Sequence, residues 1–127
     1  LFEKNIKVSL FINPDIDQIQ SSKELGVSAV ELHTGLYCNK NNNKTKEYQK
    51  LKLAASFAKK NKLECHAGHG ISYRTVSQIS KIPEISELNI GHFIIGESIL
   101  YGLKDSIVQM KKLINNSRKK IFLDKSA

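Results

Sequence analysis

The sequence predicts a parallel α/β fold of four βα units, the C-terminal half of a closed (β/α)8 barrel. Three observations carry the prediction. Strand-length apolar runs alternate with helical patterns, which implies parallel pairing through right-handed crossovers. No linker, low-complexity block or shift of composition divides the 127 residues, so positions 1–127 read as one domain. Four units are half of the eight that close such a barrel, for which about 250 residues is typical, and the chain opens at Leu1 in what reads as the tail of a preceding helix. The N-terminal half is therefore expected to be missing from this chain. A small open four-stranded sheet is the alternative.

The first strand is expected from Ile6 to Ile12. Asn13 as N-cap and Pro14 at the first helical position then start a helix that buries Ile16, Ile19 and Leu25 and stops at Gly26. The second strand, Val27 to His33, points Val30 and Leu32 one way and Ala29, Glu31 and His33 the other. The polar run Tyr37 to Thr45, with three consecutive asparagines, reads as a loop. Leu51, Ala54, Ala55 and Ala58 recur at helical spacing along Glu47 to Lys60. Leu63 to Ala67 is the third strand, and a helix over Ile71 to Ile79 ends before Pro83. The fourth strand, Ile85 to Ile90, leads into a short apolar helix near Ile94 to Leu100. The last helix runs from Leu103 to Lys119 with Leu103, Ile107, Met110 and Ile114 on one stripe and Asp105 in its first turn. From Asp124 onward a frayed tail is expected.

Twenty Lys and Arg against twelve Asp and Glu give a formal charge of +8, which raises a nucleic-acid reading. The lysines argue against it, because Lys46, Lys50, Lys59, Lys111 and Lys119 interleave with the apolar stripes of helices and read as solvated faces. A basic field still attracts anionic metabolites. No apolar run approaches the roughly 18 residues of a membrane span, and LFEKNIKVSLFINP lacks the layout of a secretory signal, so a cytoplasmic protein is expected. Cys38 and Cys65 have no metal-type spacing and read as reduced thiols, Cys65 as strand packing.

The chemistry concentrates at strand ends, where parallel α/β proteins build their sites. Gly68-His69-Gly70 and Gly91-His92 close two consecutive strands, and glycine there lets the backbone approach a bound group and aim N–H groups at it. A phosphate is the candidate ligand, assisted by the helix N-termini expected after both turns. His69, flanked by two glycines, suits a general acid or base near neutral pH. Glu31 and His33 share a strand face and are expected to point into the barrel mouth. His66 reads as a satisfied core histidine, and Gly96 and Gly102 as close packing and a C-cap. Glu31, His33, His66, His69 and His92 together also suggest a metal site, although their spacing matches no specific motif.

VSLFINP, VELHTG, HAGHGISY, IPEISELNIGHFIIGESI and GLKDSIVQMKKLI, in this order and spacing, resemble the pyridoxine 5′-phosphate synthase family over nearly all of the chain. AGHG followed by ELNIGH is the most specific part. The resemblance implies a (β/α)8 TIM barrel, matched over its last four units. It also implies a cytoplasmic, homo-oligomeric transferase of vitamin B6 biosynthesis that condenses 1-deoxy-D-xylulose 5-phosphate with 3-amino-2-oxopropyl phosphate and closes the pyridine ring. No metal or organic cofactor is implied. Carried over by motif, His69 resembles the family's proton donor and Glu31 the carboxylate that stabilises the transition state, while Gly70, Gly91 and His92 resemble contacts to the amino-oxopropyl phosphate. The family's other catalytic His and Glu, and the arginines that hold the ketose phosphate, belong to the first half of its barrel, so the isolated chain is expected to be inactive. His66 departs from the family's asparagine. Two rivals stand beside this resemblance: a metal-dependent sugar-phosphate isomerase or epimerase using Glu31, His33 and His69, and a basic nucleic-acid-binding module.

Overall fold

A computed structural model describes residues 1–124, with side chains for all of them except Phe2 and residues 120–124. Four parallel strands form one sheet in the order β1 (Ser9–Ile12), β2 (Ala29–His33), β3 (Glu64–Gly68) and β4 (Ile85–Asn89). Strand order thus follows chain order. Between the strands lie α1 (Ile16–Glu24), α2 (Gly35–Cys38), α3 (Lys44–Lys60) and α4 (Val76–Ile79), and after β4 come α5 (His92–Tyr101) and α6 (Leu103–Asp124).

Side-chain alternation divides the sheet into two unlike faces. The register aligns Leu10, Val30, Cys65 and Ile85 in one row and Ile12, Leu32, Ala67 and Leu88 in the next. These apolar rows pack with Ile19 of α1 and with Leu51, Ala54, Ala55 and Ala58 of α3 into a single core. The alanines matter because a side chain of one methyl lets α3 lie close against the strands. Phe11, Glu31, His66 and Glu87 form a row on the opposite face, with His33, Gly68 and Asn89 beyond it. Between Cys65 and His66 the β3–β4 register shifts by one residue, and the Ser86 hydroxyl donates to the Cys65 carbonyl there. β1 and β4 leave the two outer edges of the sheet unpaired among the described residues.

Several sequence expectations shift in the structure. The first helix is capped by Asp15, whose carboxylate accepts from the Gln18 N–H at 3.1 Å, while Gln18 Oε1 accepts from Asn13 N at 3.0 Å. Asn13 and Pro14 therefore precede the helix, and the reciprocal pair sets its start. Ile16 and Leu25 are exposed, leaving Ile19 and Ser22 as the buried positions. The first strand is shorter than expected, because pairing with β2 begins only at Ser9. Tyr37 lies buried in the single turn of α2 instead of in a loop, stacked obliquely on Tyr48 of α3 with centroids 6.0 Å apart. α3 starts at Lys44, three residues early, because the Asn43 side chain caps Lys46 N.

The helix expected over Ile71 to Ile79 is reduced to one turn. Thr75 Oγ1 accepts from Ser72 N at 2.9 Å, and that local turn takes the place of helical pairing. α6 buries Ser106, Met110 and Ser117 with Leu113 partly covered, so Leu103 and Ile107 of the expected stripe are exposed. Gly102 does end α5 with φ 82°, its N–H bonded to the Ser98 carbonyl, but Gly96 has open space around it instead of close packing. α6 continues through Asp124, and the rest of the expected tail lies outside the described residues. Cys38 and Cys65 are both free, and Cys65 is buried in the sheet as expected. Among the described residues no helix is long and apolar enough to cross a membrane.

Candidate active site

The C-terminal ends of the strands are stapled together before they form a site. Thr34, fully buried just after β2, donates its backbone N–H to the Gly68 carbonyl at 2.8 Å. Its hydroxyl is shared between the carbonyls of Gly68 (2.9 Å) and His69 (2.6 Å). One threonine thus ties the end of β2 to the turn after β3. His69 has φ 76° and Gly70 φ 78°. The left-handed region costs a non-glycine residue about 1 kcal/mol, and such a conformation persists where its surroundings over-determine it. The Thr34 staple is one such constraint on the His69 backbone.

The staple brings two imidazoles face to face. The rings of His33 and His69 stack with centroids 4.6 Å apart at an interplanar angle of 28°, and Phe11 meets His33 edge-on at 5.3 Å. Gly35 makes room for this pair: a Cβ there would come within 2.5 Å of His33 Cε1 and 3.0 Å of His69 Cδ2. Burial, and then the neighbouring His69 charge, holds the His33 imidazole below its ordinary value.

Glu31 is fixed from the other side. Asn89 Nδ2, at the end of β4, donates to Glu31 Oε2 at 2.6 Å, and Gly68 lies so close that a Cβ would collide with the carboxylate. The side chain is thereby fixed on a half-buried face.

A cavity of about 720 Å³ opens over this arrangement, lined by Phe11, Glu31, His69, Gly70, Ile71, Asn89, Ile90, Gly91, His92 and Phe93. All five residues carried over from the resemblance, Glu31, His69, Gly70, Gly91 and His92, lie on it. They come from the ends of three different strands. Gly91 is the N-cap of α5 and offers no side chain to the first turn, so that turn's N–H groups remain available beside the cavity. The turn at Gly68-His69-Gly70, in contrast, opens no helix: α4 begins only at Val76. The expectation of helix N-termini after both turns therefore holds for the second alone.

His33 is not on the cavity wall; it stands behind His69. His66 is half-buried instead of a satisfied core residue, and its Nε2 lies 3.2 Å from Glu64 Oε1 without hydrogen-bond alignment. Among the described residues no three His, Cys, Asp or Glu side chains converge as a metal site requires, and the suggested grouping of Glu31, His33, His66, His69 and His92 does not assemble. Sequence reasoning missed Asn89, Phe11 and the staple at Thr34. Asn89 was open to discovery, since it stands two residues from Glu87 on one face and aligns with Gly68 across the sheet. The Thr34 bonds to residues 34 and 35 positions away left no local signal.

The sequence pattern of the family described as "Pyridoxal phosphate biosynthesis protein PdxJ" matches residues 1–116. The chain is 50% identical over 116 residues to a pyridoxine 5′-phosphate synthase of Ehrlichia ruminantium (strain Gardel), covering 91% of this chain and 48% of that protein. It is 48% identical over 118 residues to the protein of that name from Sulfurihydrogenibium sp. (strain YO3AOP1), covering 92% of this chain and 49% of the relative. With the Pelagibacter ubique (strain HTCC1062) protein of the same name it shares 47% identity over 116 residues. The chain spans about half the length of these relatives.

Proposed function

The chain belongs to the family of the pyridoxal phosphate biosynthesis protein PdxJ, and on that premise we propose that it is the C-terminal half of a pyridoxine 5′-phosphate synthase barrel. The intact enzyme condenses 1-deoxy-D-xylulose 5-phosphate with 3-amino-2-oxopropyl phosphate, a ring-closing transferase of vitamin B6 biosynthesis, and works in the cytoplasm as a homo-oligomer. Positions 1–127 make one domain only together with the absent N-terminal half. Strand order supports the half-barrel: neighbours follow the chain without a switch point, as in an arc of a closed barrel and unlike a doubly wound sheet.

The observation that carries the reading is the convergence of Glu31, His69, Gly70, Gly91 and His92 on one cavity at the C-terminal ends of the strands. Joining an amine to a ketone loses water, and each departing hydroxyl needs a proton as it leaves. His69, at the cavity wall with its backbone held, delivers that proton. Glu31, kept in place by Asn89, sets a negative charge opposite the cation that develops on the substrate nitrogen. Gly70, Gly91 and His92 hold the phosphate through backbone N–H groups, aided at α5 by the helix dipole.

The experiment combines this chain with the N-terminal half of the Ehrlichia ruminantium relative, by fusion or by mixing. The chain alone does not turn over the substrate pair, whereas the combination forms pyridoxine 5′-phosphate. In the combination, His69→Asn lowers kcat by roughly 10²–10⁴ with KM nearly unchanged. Asn suits the test because it also tolerates positive φ. Gly91→Val does the reverse, raising KM for the amino-oxopropyl phosphate; nothing lies within 4 Å of a Cβ at this position, so the protein itself has room for it. A folded combination without turnover, or a His69→Asn variant with wild-type kcat, sinks the reading.

A further inference from the structure

We propose that His33 is a positioning residue for His69, holding the His69 imidazole at the cavity wall by ring stacking. The proposal rests on the reading of His69 as the proton donor and adds a residue to it. Histidine side chains after a left-handed backbone turn have two free torsions, and a ring that must deliver a proton to one substrate atom loses efficiency when it samples several rotamers. At residue 69 the backbone is held by Thr34. Among the described residues the His69 side chain makes no hydrogen bond; the nearest ring is His33, face to face at 4.6 Å, with Phe11 tilted at 6.5 Å. Phe11 flanks the pair, edge-on to His33 at 5.3 Å and tilted toward His69, and the slot the two imidazoles occupy exists only because residue 35 has no Cβ.

The second imidazole stands here without competing for the proton. The titratable groups around the His33 ring are His69, from the turn after β3, and Glu31 on the same face of β2; Phe11 and Gly35 bring none. Burial and the His69 charge both favour the neutral form of His33, so His33 presents an uncharged, polarisable face to its neighbour.

Two variants separate ring shape from ring chemistry. In the completed enzyme His33→Ala is expected to lower kcat about tenfold or more with KM for both substrates within about twofold, and His33→Phe, which keeps a flat ring of similar reach, to recover most of the loss. In the chain itself, proton NMR of the His69 ring reads the stack directly: the ring resonances shift with His33→Ala and return toward their original positions with His33→Phe. His33 itself titrates below the ordinary histidine value, chiefly through burial, and His69→Asn, which removes the neighbouring ionisable ring, raises that midpoint. Unchanged His69 resonances in His33→Ala, unchanged kcat in His33→Ala, or a His33→Phe variant as poor as His33→Ala each overturns the proposal. If the unsubstituted completed enzyme makes no product, the synthase reading fails on its own, and the ring resonances still decide whether His33 holds His69.

Discussion

Val30, Leu32, Cys65, Ala67 and Ile85 are buried against helices on one face of the sheet, while Phe11, Glu31, His33, His66 and Asn89 on the other face of the same strands keep part of their surface exposed. Both sets alternate along one backbone, so no strand belongs to either task alone. The difference lies in what covers them. Leucines, alanines and isoleucines of α1 and α3 cover the first face and supply no polar partner, so only apolar side chains fit there. The second face receives no helix among the described residues, and its polar groups find one another: Asn89 with Glu31, His33 with His69. Stability should therefore be sensitive on the first face and chemistry on the second.

Substitutions at aligned positions can break that comparison. The largest expected effect on stability is at Leu32, fully buried between β1 and β3. Leu32→Ala is expected to cost about 2–5 kcal/mol in urea unfolding, and a loss well below 1 kcal/mol would mean that this face is not a packed core. Thr34 belongs to both tasks and is intermediate. Thr34→Val preserves shape but leaves the His69 carbonyl without its short hydroxyl partner, for an expected cost of about 1–3 kcal/mol. Because the same bond positions His69, turnover should fall further than stability alone explains; equal losses would make Thr34 a purely structural staple. The smallest effect is expected at Phe11, 56% exposed on the open face. Phe11→Ala in the chain should cost less than about 1 kcal/mol, since most of the ring never left water. A cost near that of Leu32→Ala would show that the open face is covered in solution.

The buried thiol sharpens the contrast chemically. Burial, then the charge of Glu84, pushes Cys65 up to about 12, so alkylation of the folded protein near pH 8 should label Cys38 and spare Cys65, with both reacting after unfolding. Rapid labelling of Cys65 in the folded state would contradict the closed apolar face.

The strands, their parallel order and the α3 stripe were legible in the residues, because period-2 and helical spacing are local consequences of backbone geometry and burial. Gly68-His69-Gly70 and Gly91-His92 were legible for the same reason, as glycine at a strand end marks a backbone that turns or approaches a ligand. Helix boundaries were less so: Asp15 displaced Asn13 as the cap, and the Ser72–Thr75 turn replaced most of a helix, because short polar side chains compete with helical hydrogen bonds on equal terms. Of the expected stripe Leu103, Ile107, Met110 and Ile114, Met110 is buried and Ile114 packs against the core, while Leu103 and Ile107 are exposed and Ser106 and Ser117 are buried, since the neighbours of α6 and not its own hydropathy decide which side is covered.

By itself the sequence determined which side chains alternate, where the backbone turns and which residues resemble those of a known family. Only the tertiary structure decided that Asn89 fixes Glu31, that Thr34 ties two strand ends, and that His33 stacks on His69 instead of facing the cavity. These contacts join residues 34 to 58 positions apart. Their partners are chosen by sheet register and by the absence of a Cβ at Gly35 and Gly68, and neither quantity exists until the strands have paired.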